Sequence, residues 1–335
     1  MPVNVLVLGA GTWGTTLAGH LHGGGHQVRV WEYAPEVVAE LERSRRHPKL
    51  PDVEIPGGIE FTTEIQTAAS GMEIVVCAVP AGHVRETFRG LAGGGYSGQM
   101  VVICSKGIED GTHALLSEVV SDELGAASRG RIGVLSGPSH AEEVSRQIPT
   151  AVTASAEDIA LAERIRDLFM TPTFRIYTQT DLVGVELAAA LKNVIAIACG
   201  ISDGLGFGDN SKAALMTRGL SEIVRLGIHL GARAETFYGL AGIGDLMVTC
   251  MSGHSRNRNF GYHLGRGLTT NEALEQVGMV VEGYYTVRAA AELAVEHGIE
   301  MPITVGVDDV VFKGLRPLEA GSALMMRDPG REMEM

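Results

Sequence analysis

The sequence predicts an α/β protein in which a mostly parallel sheet domain is followed by an all-helical domain. Three observations carry the prediction. A glycine-rich turn follows the first apolar run, apolar runs alternate with helical segments up to about residue 180, and strand patterns disappear after that point. Strands that alternate with helices are typical of a parallel sheet with helices on both faces.

The first part of the chain contains seven short runs rich in apolar and β-branched residues, the composition of buried strands. Most are continuously apolar and do not alternate with polar residues, which is typical of parallel strands covered on both faces. The runs are residues 3–8, 27–31, 73–80, 99–107, 131–139, 150–156 and 174–180.

The second part of the chain consists of long helical segments, at residues 183–200, 211–230, 270–277 and 283–297. A chain of 335 residues is too long for one simple core, so two domains are expected. We place the boundary near residue 180, with a sheet domain over residues 1–180 and a helical domain over residues 181–335.

Composition and charge limit the function classes. Hydrophobic content of 45% and charged content of 20% describe a globular protein in water. A net charge of −13 opposes binding to nucleic acid. The four cysteines are widely spaced without a C-x-x-C pair, which favours reduced core thiols in a cytoplasmic protein over disulfides or a metal site. The N-terminus lacks signal-peptide features and no run of 18 uncharged apolar residues occurs, so no membrane span is expected.

Residues 9–14, GAGTWG, fit the pattern G-x-G-x-x-G between a strand and a helix, and Glu32 ends the next strand. In that context the pattern is the dinucleotide fingerprint of a Rossmann-type domain. Gly9 permits the tight turn, Gly11 lets the backbone approach the pyrophosphate, and Gly14 lets the helix pack closely on the strand. The helix N-terminus adds amide donors. The alternative is a plain glycine-rich turn.

Polar residues also follow later strands, where ligands collect in an open parallel sheet. Lys106 follows the fourth run and could reach a phosphate, although a solvated loop lysine is the alternative. Ser139 and Glu142 have the spacing of a capping box, so a helix is expected to start there with its free amides in the same cleft. A purely structural cap explains the pair equally well.

The helical part has two unusual features. Lys192 lies in the middle of the apolar segment 185–201, and burying an ammonium group is costly unless a nearby group needs it. Asp245 follows two glycines in an apolar surround, and Ser-Arg-Asn-Arg at residues 255–258 forms a dense polar cluster. Arginine with adjacent hydroxyl and amide donors suits a phosphate, and a basic surface loop is the alternative.

The chain resembles the bacterial-type NAD(P)-dependent glycerol-3-phosphate dehydrogenases over nearly its whole length. The matching segments occur in the family's order, and the long segment around Lys192 and the Ser-Arg-Asn cluster are specific together. The segments are GAGTWGTTLA, CSKGIED, LSGPSHAEEV, GVELAAALKNVIAIACGISDGLGFGDNSKAALMTRGLSEI, GLAGIGDLMVTCMSGHSRNRNFG and GMVVEGYYT.

The resemblance implies roles for the residues at matching positions, and it implies no metal. Lys192 matches the catalytic lysine. Substrate contacts match Lys106, Gly137, Ser139, Lys192, Asp245, Ser255, Arg256 and Asn257. Cofactor contacts match Thr12, Trp13, Lys106, Ala141, Arg256, Val280 and Glu282, and the fingerprint and second strand add Gly9, Gly11, Gly14, Glu32 and Tyr33.

The implied reaction interconverts sn-glycerol 3-phosphate and dihydroxyacetone phosphate with NAD or NADP, and supplies glycerol 3-phosphate for phospholipid synthesis. The resemblance also implies an active site between a Rossmann-type and a helical domain, and family members are often dimers. Alcohol oxidation needs a base and ketone reduction needs an acid. A partly desolvated lysine can be both, because burial lowers its pKa. We expect Asn193 and Asp245 to orient Lys192, and residues 255–257 to hold the substrate phosphate.

One position departs from the family and bears on the choice of cofactor. Many relatives carry a His-Arg pair after the second strand, where this chain has Tyr33 and Ala34, preceded by Glu32. A carboxylate there would accept hydrogen bonds from the ribose hydroxyls of NAD and repel the 2′-phosphate of NADP. We therefore expect NAD to be preferred, unless a basic residue between positions 43 and 46 folds back to supply positive charge.

Two other functions compete with this interpretation. A related dehydrogenase of another hydroxy acid or sugar would share the glycine turn and could share Lys192, but would not need the phosphate cluster. A non-enzymatic nucleotide-sensing protein would have no use for a lysine in an apolar helix.

Overall fold

The computed structural model describes residues 1–329. The chain forms two compact units. The first comprises residues 1–105 and 115–182, and the second comprises Lys106–Ala114 together with the chain from Val183 onward. The nine residues Lys106–Ala114 therefore belong to the second unit, although the chain on both sides of them belongs to the first.

The first unit is built on an eight-stranded sheet with the order β10-β9-β8-β7-β6-β1-β2-β5, and a separate two-stranded hairpin pairs β3 with β4. Every neighbouring pair in the large sheet is parallel except β8 and β9, which are antiparallel. The strands are β1 Asn4–Leu8, β2 Gln27–Trp31, β3 Arg46–His47, β4 Leu50–Glu54, β5 Glu60–Thr62, β6 Ile74–Cys77, β7 Met100–Ile103, β8 Ile132–Ser136, β9 Thr150–Ala156 and β10 Phe174–Gln179.

The helices of the first unit cover the sheet. In the second unit, helices are the main secondary structure of the described residues. The helices of both units are α1 Thr12–Gly23, α2 Pro35–Ser44, α3 Ile65–Ala68, α4 Val84–Ala92, α5 Leu116–Leu124, α6 Ala141–Val144, α7 Ile159–Phe169, α8 Leu182–Gly204, α9 Asp209–His229, α10 Ala234–Phe237, α11 Asp245–Met251, α12 Arg256–Gly265, α13 Thr270–Val277, α14 Glu282–His297, α15 Pro302–Phe312 and α16 Pro317–Met325.

The predicted fold class is confirmed. All seven predicted runs contain a strand, the runs at 27–31 and 150–156 with the predicted bounds, and among residues 183–329 no strand occurs. The one antiparallel step leaves the sheet mostly parallel. The short strands β3, β4 and β5 were not predicted, because two to five residues with mixed polarity carry no clear pattern.

Helix α8 forms the centre of the second unit. It is long and apolar enough to cross a membrane by length and composition, but 94% of its apolar window is buried inside the protein. Its alanine, leucine and isoleucine side chains supply a core on all sides, which is typical of a helix surrounded by other helices. The buried lysine at its middle is therefore enclosed by protein.

Helices α8 and α12 pack backbone against backbone. A Cβ atom added at Gly200 would overlap the carbonyl oxygen of Arg258, and one at Gly204 would overlap that of Tyr262. The reverse holds for Gly261 and Gly265, whose added Cβ atoms would overlap backbone oxygens of α8. Each helix thus presents a glycine pair four residues apart, and the crossing excludes any side chain.

A buried carboxylate joins α9 to the start of α15. Glu222, which is 1% exposed, accepts hydrogen bonds from the amides of Ile303 (2.6 Å) and Thr304 (3.1 Å) and from the Thr304 hydroxyl (2.9 Å). These amides lie in the first turn of α15, where no partner exists within the helix. Glu222 therefore acts as a cap supplied by another helix.

The four cysteines, Cys77, Cys104, Cys199 and Cys250, are all buried, and no disulfide joins them.

Candidate active site

The turn after β1 has the geometry of a dinucleotide loop. Gly9 has a φ of +97°, which disfavours any residue with a side chain, and an added Cβ at Gly14 would overlap the carbonyl oxygen of Gly9. An added Cβ at Gly11 would meet no atom within 4 Å, so the backbone there faces open space. Helix α1 starts at Thr12 without a side-chain cap, which leaves its first amides available. The tight turn at Gly9 and the close packing at Gly14 agree with the prediction, and the open space at Gly11 leaves room for the pyrophosphate that the sequence predicts there.

Glu32 at the end of β2 is turned towards this loop. It is 8% exposed, and its carboxylate accepts hydrogen bonds from the amides of Ala10 (2.9 Å) and Ala34 (3.3 Å). The carboxylate therefore ties the end of β2 to the glycine turn. Tyr33, the next residue, is 78% exposed and lies on the surface.

The basic residues in the last turn of α2 and just after it have other partners. Arg43 pairs with Glu40, and Arg45 donates to the carbonyl of Ile59 (2.9 Å). Arg46 donates to the carbonyl of Pro51 (2.6 Å). All three guanidinium groups therefore bind residues other than Glu32.

The segment after β8 differs from the predicted capping box. Helix α6 begins at Ala141 and has His140 at its N-cap position, without a side-chain cap. The Ser139 hydroxyl instead donates to the carbonyl of Gly137 (2.9 Å). Gly137 has a φ of +144° and approaches the backbone of Val152, so the strand end turns sharply before the helix starts. The capping box was wrong because this turn displaces the helix start by one residue.

Lys192 is the centre of a polar cluster inside the second unit. It is 4% exposed, and its ammonium group donates to Thr249 Oγ1 (2.8 Å) and Asn193 Oδ1 (3.1 Å) and lies 3.4 Å from Asp245 Oδ1. Lys106 approaches the other oxygen of the same carboxylate, at 2.7 Å from Asp245 Oδ2. One buried carboxylate is thus shared by two lysines.

Burial lowers the pKa of Lys192 from 10.5 to about 8. The negative charge of Asp245 opposes this shift and the positive charge of Lys106 adds to it. Burial would raise the pKa of Asp245, but the two lysines outweigh burial and the pKa is lowered, so the carboxylate stays ionised. Lys192 consequently exchanges its proton close to neutral pH, which an exposed lysine does not do.

The sequence GLAGIG before α11 explains the position of Asp245. Residues Leu240–Gly244 form one turn of π-helix, in which the amide of Gly244 donates to the carbonyl of Gly239 (3.2 Å). An added Cβ at Gly242 would overlap the backbone of Phe237, so glycine is required there. The wide turn leads directly into α11, whose first residue is Asp245 and whose fifth is Thr249.

Asn193 and Asn257 extend the cluster from α8 to α12 and α14. The amide nitrogen of Asn257 donates to Asn193 Oδ1 (2.9 Å), and Asn257 Oδ1 accepts from the amide of Gly283 (2.9 Å). The glycine crossing of α8 and α12 allows this, because Asn193 and Asn257 lie on the same side of the crossing. Asn193 therefore orients Lys192, and Asn257 in turn orients Asn193.

The start of α12 carries the predicted phosphate cluster. Ser255 is the N-cap residue, and its hydroxyl oxygen accepts from the amide of Arg258 (3.2 Å). Arg256 is half-buried, and within residues 1–329 its guanidinium group has no hydrogen bond or ion pair. A half-buried cation at the positive end of a helix is suited to an anion such as a phosphate.

The structure thus collects the predicted residues into two groups, one in each unit. The second unit brings Lys106, Lys192, Asn193, Asp245 and Asn257 into one hydrogen-bonded cluster. Glu282 lies beside it in the first turn of α14, whereas Val280 is exposed. The first unit holds the glycine loop with Thr12 and Trp13, Glu32, and the segment Gly137–Ala141.

Thr249 was missed by the sequence analysis. Its hydroxyl is the nearest partner of Lys192 and is itself bonded to the carbonyl of Asp245 (2.6 Å). The spacing of four residues between Asp245 and Thr249 on one helix is the signal that could have found it.

Within residues 1–329 no group of three or more histidine, cysteine or acidic side chains is placed to hold a metal ion. The chemistry that the second cluster can supply is proton transfer by an amine, next to a fixed anion and a free guanidinium group.

Two family models match the chain. The N-terminal model of NAD-dependent glycerol-3-phosphate dehydrogenase matches residues 4–162, and the C-terminal model matches residues 181–322. The chain is 50% identical over 333 residues to the glycerol-3-phosphate dehydrogenase (NAD(P)+) of Geobacillus kaustophilus, covering 99% of this chain and 96% of that protein. It is 48% identical over 331 residues to that of a Thermoanaerobacter species, covering 99% of each.

A solved structure is also similar. The crystal structure of glycerol-3-phosphate dehydrogenase from Coxiella burnetii has a TM-score of 0.92 and 36% sequence identity, and the match covers 97% of this chain and 99% of that one.

Proposed function

The chain belongs to the NAD-dependent glycerol-3-phosphate dehydrogenase family, and we propose from this premise that it interconverts sn-glycerol 3-phosphate and dihydroxyacetone phosphate with Lys192 as the proton donor and acceptor. The observation that carries the role of Lys192 is its burial beside Asp245 and Thr249 with a pKa lowered to about 8. A buried lysine that titrates near working pH is suited to proton transfer, and in a protein without that chemistry its burial would only reduce stability.

The first unit fits a nicotinamide dinucleotide. The open space at Gly11 and the uncapped N-terminus of α1 suit a pyrophosphate group. Thr12 and Trp13 would contact it from the first turn of α1. The bound nicotinamide supplies the hydride chemistry at substrate C2.

The residues of the chain have distinct tasks in the reaction. Lys192 gives a proton to the C2 oxygen during ketone reduction and takes it back during alcohol oxidation. Asn193 and Thr249 accept hydrogen bonds from the ammonium group and fix its direction. Asp245 keeps both lysines close, and Lys106 supplies positive charge to the substrate oxygens. Burial excludes water from the proton that is transferred.

The start of α12 is proposed to bind the substrate phosphate. Arg256 supplies a guanidinium group that has no other partner among residues 1–329, and the first amides of α12 point to the same end of the helix. Ser255 and Asn257 add a hydroxyl and an amide. This arrangement favours a phosphorylated substrate over the unphosphorylated hydroxy acid or sugar of the first alternative, and a non-enzymatic protein would gain nothing from the Lys192 cluster.

NAD is proposed to be preferred over NADP. Glu32 is buried against the glycine loop, which supports a fixed carboxylate that would lie near the adenosine ribose of a bound cofactor and would oppose a 2′-phosphate there. Arg43, Arg45 and Arg46 are engaged by Glu40, Ile59 and Pro51, which supports the absence of compensating positive charge at Glu32.

We further propose that the protein is cytoplasmic, supplies glycerol 3-phosphate for phospholipid synthesis and forms a homodimer. The proposal of a dimer rests on the resemblance and on exposed apolar side chains of α16, among them Leu318 and Met325. Light scattering after size-exclusion chromatography tests it, and a mass of one chain would contradict it.

The test of the function is oxidation of NADH by the purified protein. Turnover with dihydroxyacetone phosphate and little or none with dihydroxyacetone or a 2-keto acid is expected. Turnover of a 2-keto acid instead would favour the related dehydrogenase, and dinucleotide binding without turnover of any of the three would favour the nucleotide-sensing protein.

A further inference from the structure

The segment Lys106–Ala114 is fixed to the helical unit at both ends. At its start, Lys106 lies 2.7 Å from Asp245 on α11. Near its other end, His113 Nε2 lies 2.8 Å from Glu292 on α14, and His113 Nδ1 lies 3.9 Å from Glu296. Between them Ile108 is 2% exposed. The position of Lys106 therefore depends on a segment with a second polar anchor seven residues later.

A closed turn occupies the second half of this segment. The amide of Glu109 donates to the carbonyl of Ala114, and the amide of His113 donates to the carbonyl of Glu109, both at 3.0 Å. Thr112 Oγ1 donates to the Glu109 carboxylate at 2.5 Å. Because the turn is bonded to itself, a displacement at His113 is transmitted along the segment towards Lys106.

His113 has a disfavoured backbone conformation. Its φ is +59°, in the left-handed region that residues with a side chain rarely adopt. Such a conformation persists only where the surroundings stabilise it. The stabilising contacts available to the ring, which is 18% exposed, are the two carboxylates of α14.

We propose that His113 is a positioning residue for the reaction: held by Glu292 and Glu296, it keeps the segment on α14 and thereby keeps Lys106 on Asp245. The inference rests on the proposed function, because Lys106 and Asp245 matter for turnover only if Lys192 transfers the proton. The charged groups beside the ring are Glu292 and Glu296 on α14.

Loss of the anchor has a specific consequence at Lys192. Lys106 and Lys192 share Asp245, and the charge of Lys106 contributes to the lowered pKa of Lys192. If Lys106 moves away, the repulsion between the two ammonium groups is lost, and Lys192 becomes the main cation beside Asp245. The pKa of Lys192 then rises, and the rate of ketone reduction, which needs the ammonium form, persists to higher pH.

Four variants separate this role from a structural one. His113→Asn keeps a residue that tolerates the left-handed region but is too short to reach α14. Glu292→Ala removes the acceptor without touching the segment, and Glu292→Gln keeps an acceptor oxygen in place. Glu300→Gln is the matched control, since it breaks an exposed ion pair with Arg327 in the same unit.

In His113→Asn and Glu292→Ala we expect KM for dihydroxyacetone phosphate to rise about three- to tenfold, with kcat at pH 7 changed less. We expect the alkaline limb of kcat for reduction to move up by about half a pH unit or more. Glu292→Gln should recover most of the KM change, and Glu300→Gln should resemble wild type. Unchanged KM and an unmoved limb in both variants, in folded protein, would overturn the inference.

A measurement without turnover keeps the two proposals separate. Hydrogen exchange of the peptide that covers residues 106–114 should become faster in Glu292→Ala and not in Glu300→Gln. If the wild type does not reduce dihydroxyacetone phosphate, the proposed function fails, and faster exchange alone would still support the anchor. Unchanged exchange would refute the anchor whatever the activity.

Discussion

Replacing Lys192 by methionine is expected to remove turnover and to stabilise the protein. Methionine keeps the length of the side chain in the apolar core of α8 but cannot carry a proton. Turnover of dihydroxyacetone phosphate should fall by about a hundredfold or more, with NADH binding retained. The gain in stability follows from the free energy of keeping the lysine charged inside the protein.

The size of that free energy follows from the pKa of Lys192, about 8 in the folded protein against 10.5 when exposed. At pH 7 both the folded and the unfolded chain hold the proton, and folding then loses about 3 kcal/mol relative to a neutral side chain. Because the unfolded chain binds more protons between pH 8 and 10.5, the wild type gains stability as pH rises through that window. Below pH 8 the whole loss is present.

Part of the gain is offset. Asp245 loses one of the two cations that lower its pKa, and Thr249 and Asn193 lose a hydrogen-bond donor. Asp245 keeps Lys106, so its charge is not left unpaired. These losses amount to about 1–2 kcal/mol. A net gain of about 1–2 kcal/mol remains, which corresponds to a rise in Tm of roughly 2–8 °C for a unit of this size.

The assay is calorimetry of the ligand-free protein at pH 7 and again near pH 10, where the advantage of the variant should disappear. Lys212→Met is the matched control, since Lys212 pairs with Asp203 at 2.7 Å in the same unit away from the Lys192 cluster. It should keep turnover and lose stability. A Lys192→Met protein that is inactive and melts several degrees lower at pH 7 would show that the lysine is structural, and near-normal turnover would refute its role in proton transfer.

Three further predictions follow from other groups. Arg256→Ala should raise KM for dihydroxyacetone phosphate by about a hundredfold and leave the slow turnover of dihydroxyacetone nearly unchanged, and equal losses in steady-state assays of both would place Arg256 elsewhere. Glu32→Gln should move the ratio of kcat/KM for NADH over NADPH towards NADPH by about tenfold, and a wild type that favours NADPH would contradict the role of the carboxylate. Glu222→Ala should lower the free energy of unfolding in urea by about 2–4 kcal/mol, because two buried amides of α15 lose their acceptor, and a change below about 0.5 kcal/mol would mean that water replaces the cap.

Much of the fold was predictable because its signals are local. The runs that became β1, β2 and β6 to β10 are apolar over several consecutive residues, and the glycine turn at Gly9–Gly14 has a spacing that only one backbone geometry requires. Helix α13 was predicted with its observed bounds, Thr270–Val277, since a capping residue precedes it and glycine follows it.

The remainder depends on contacts between distant parts of the chain. The pairing of Lys106 with Asp245 spans 139 positions, and no property of either local sequence indicates it. Thr249 was missed for a different reason, since its spacing of four residues from Asp245 indicates the site only once Lys192 on another helix is known to face Asp245. The Ser139 capping box has correct local chemistry, but the turn at Gly137 overrides it.

The glycine crossing of α8 and α12 limits how this protein can be made more robust. Exchanging a helical glycine for alanine is a common route to higher thermal stability, with a typical gain of about 1 kcal/mol. At Gly200, Gly204, Gly261 and Gly265 the added methyl group would instead force the two helices apart. The separation would also lengthen the hydrogen bond between Asn193 and Asn257, which joins the same two helices. A stabilisation campaign guided by helix propensity alone would therefore select, at these four positions, variants that misalign the residue which orients Lys192.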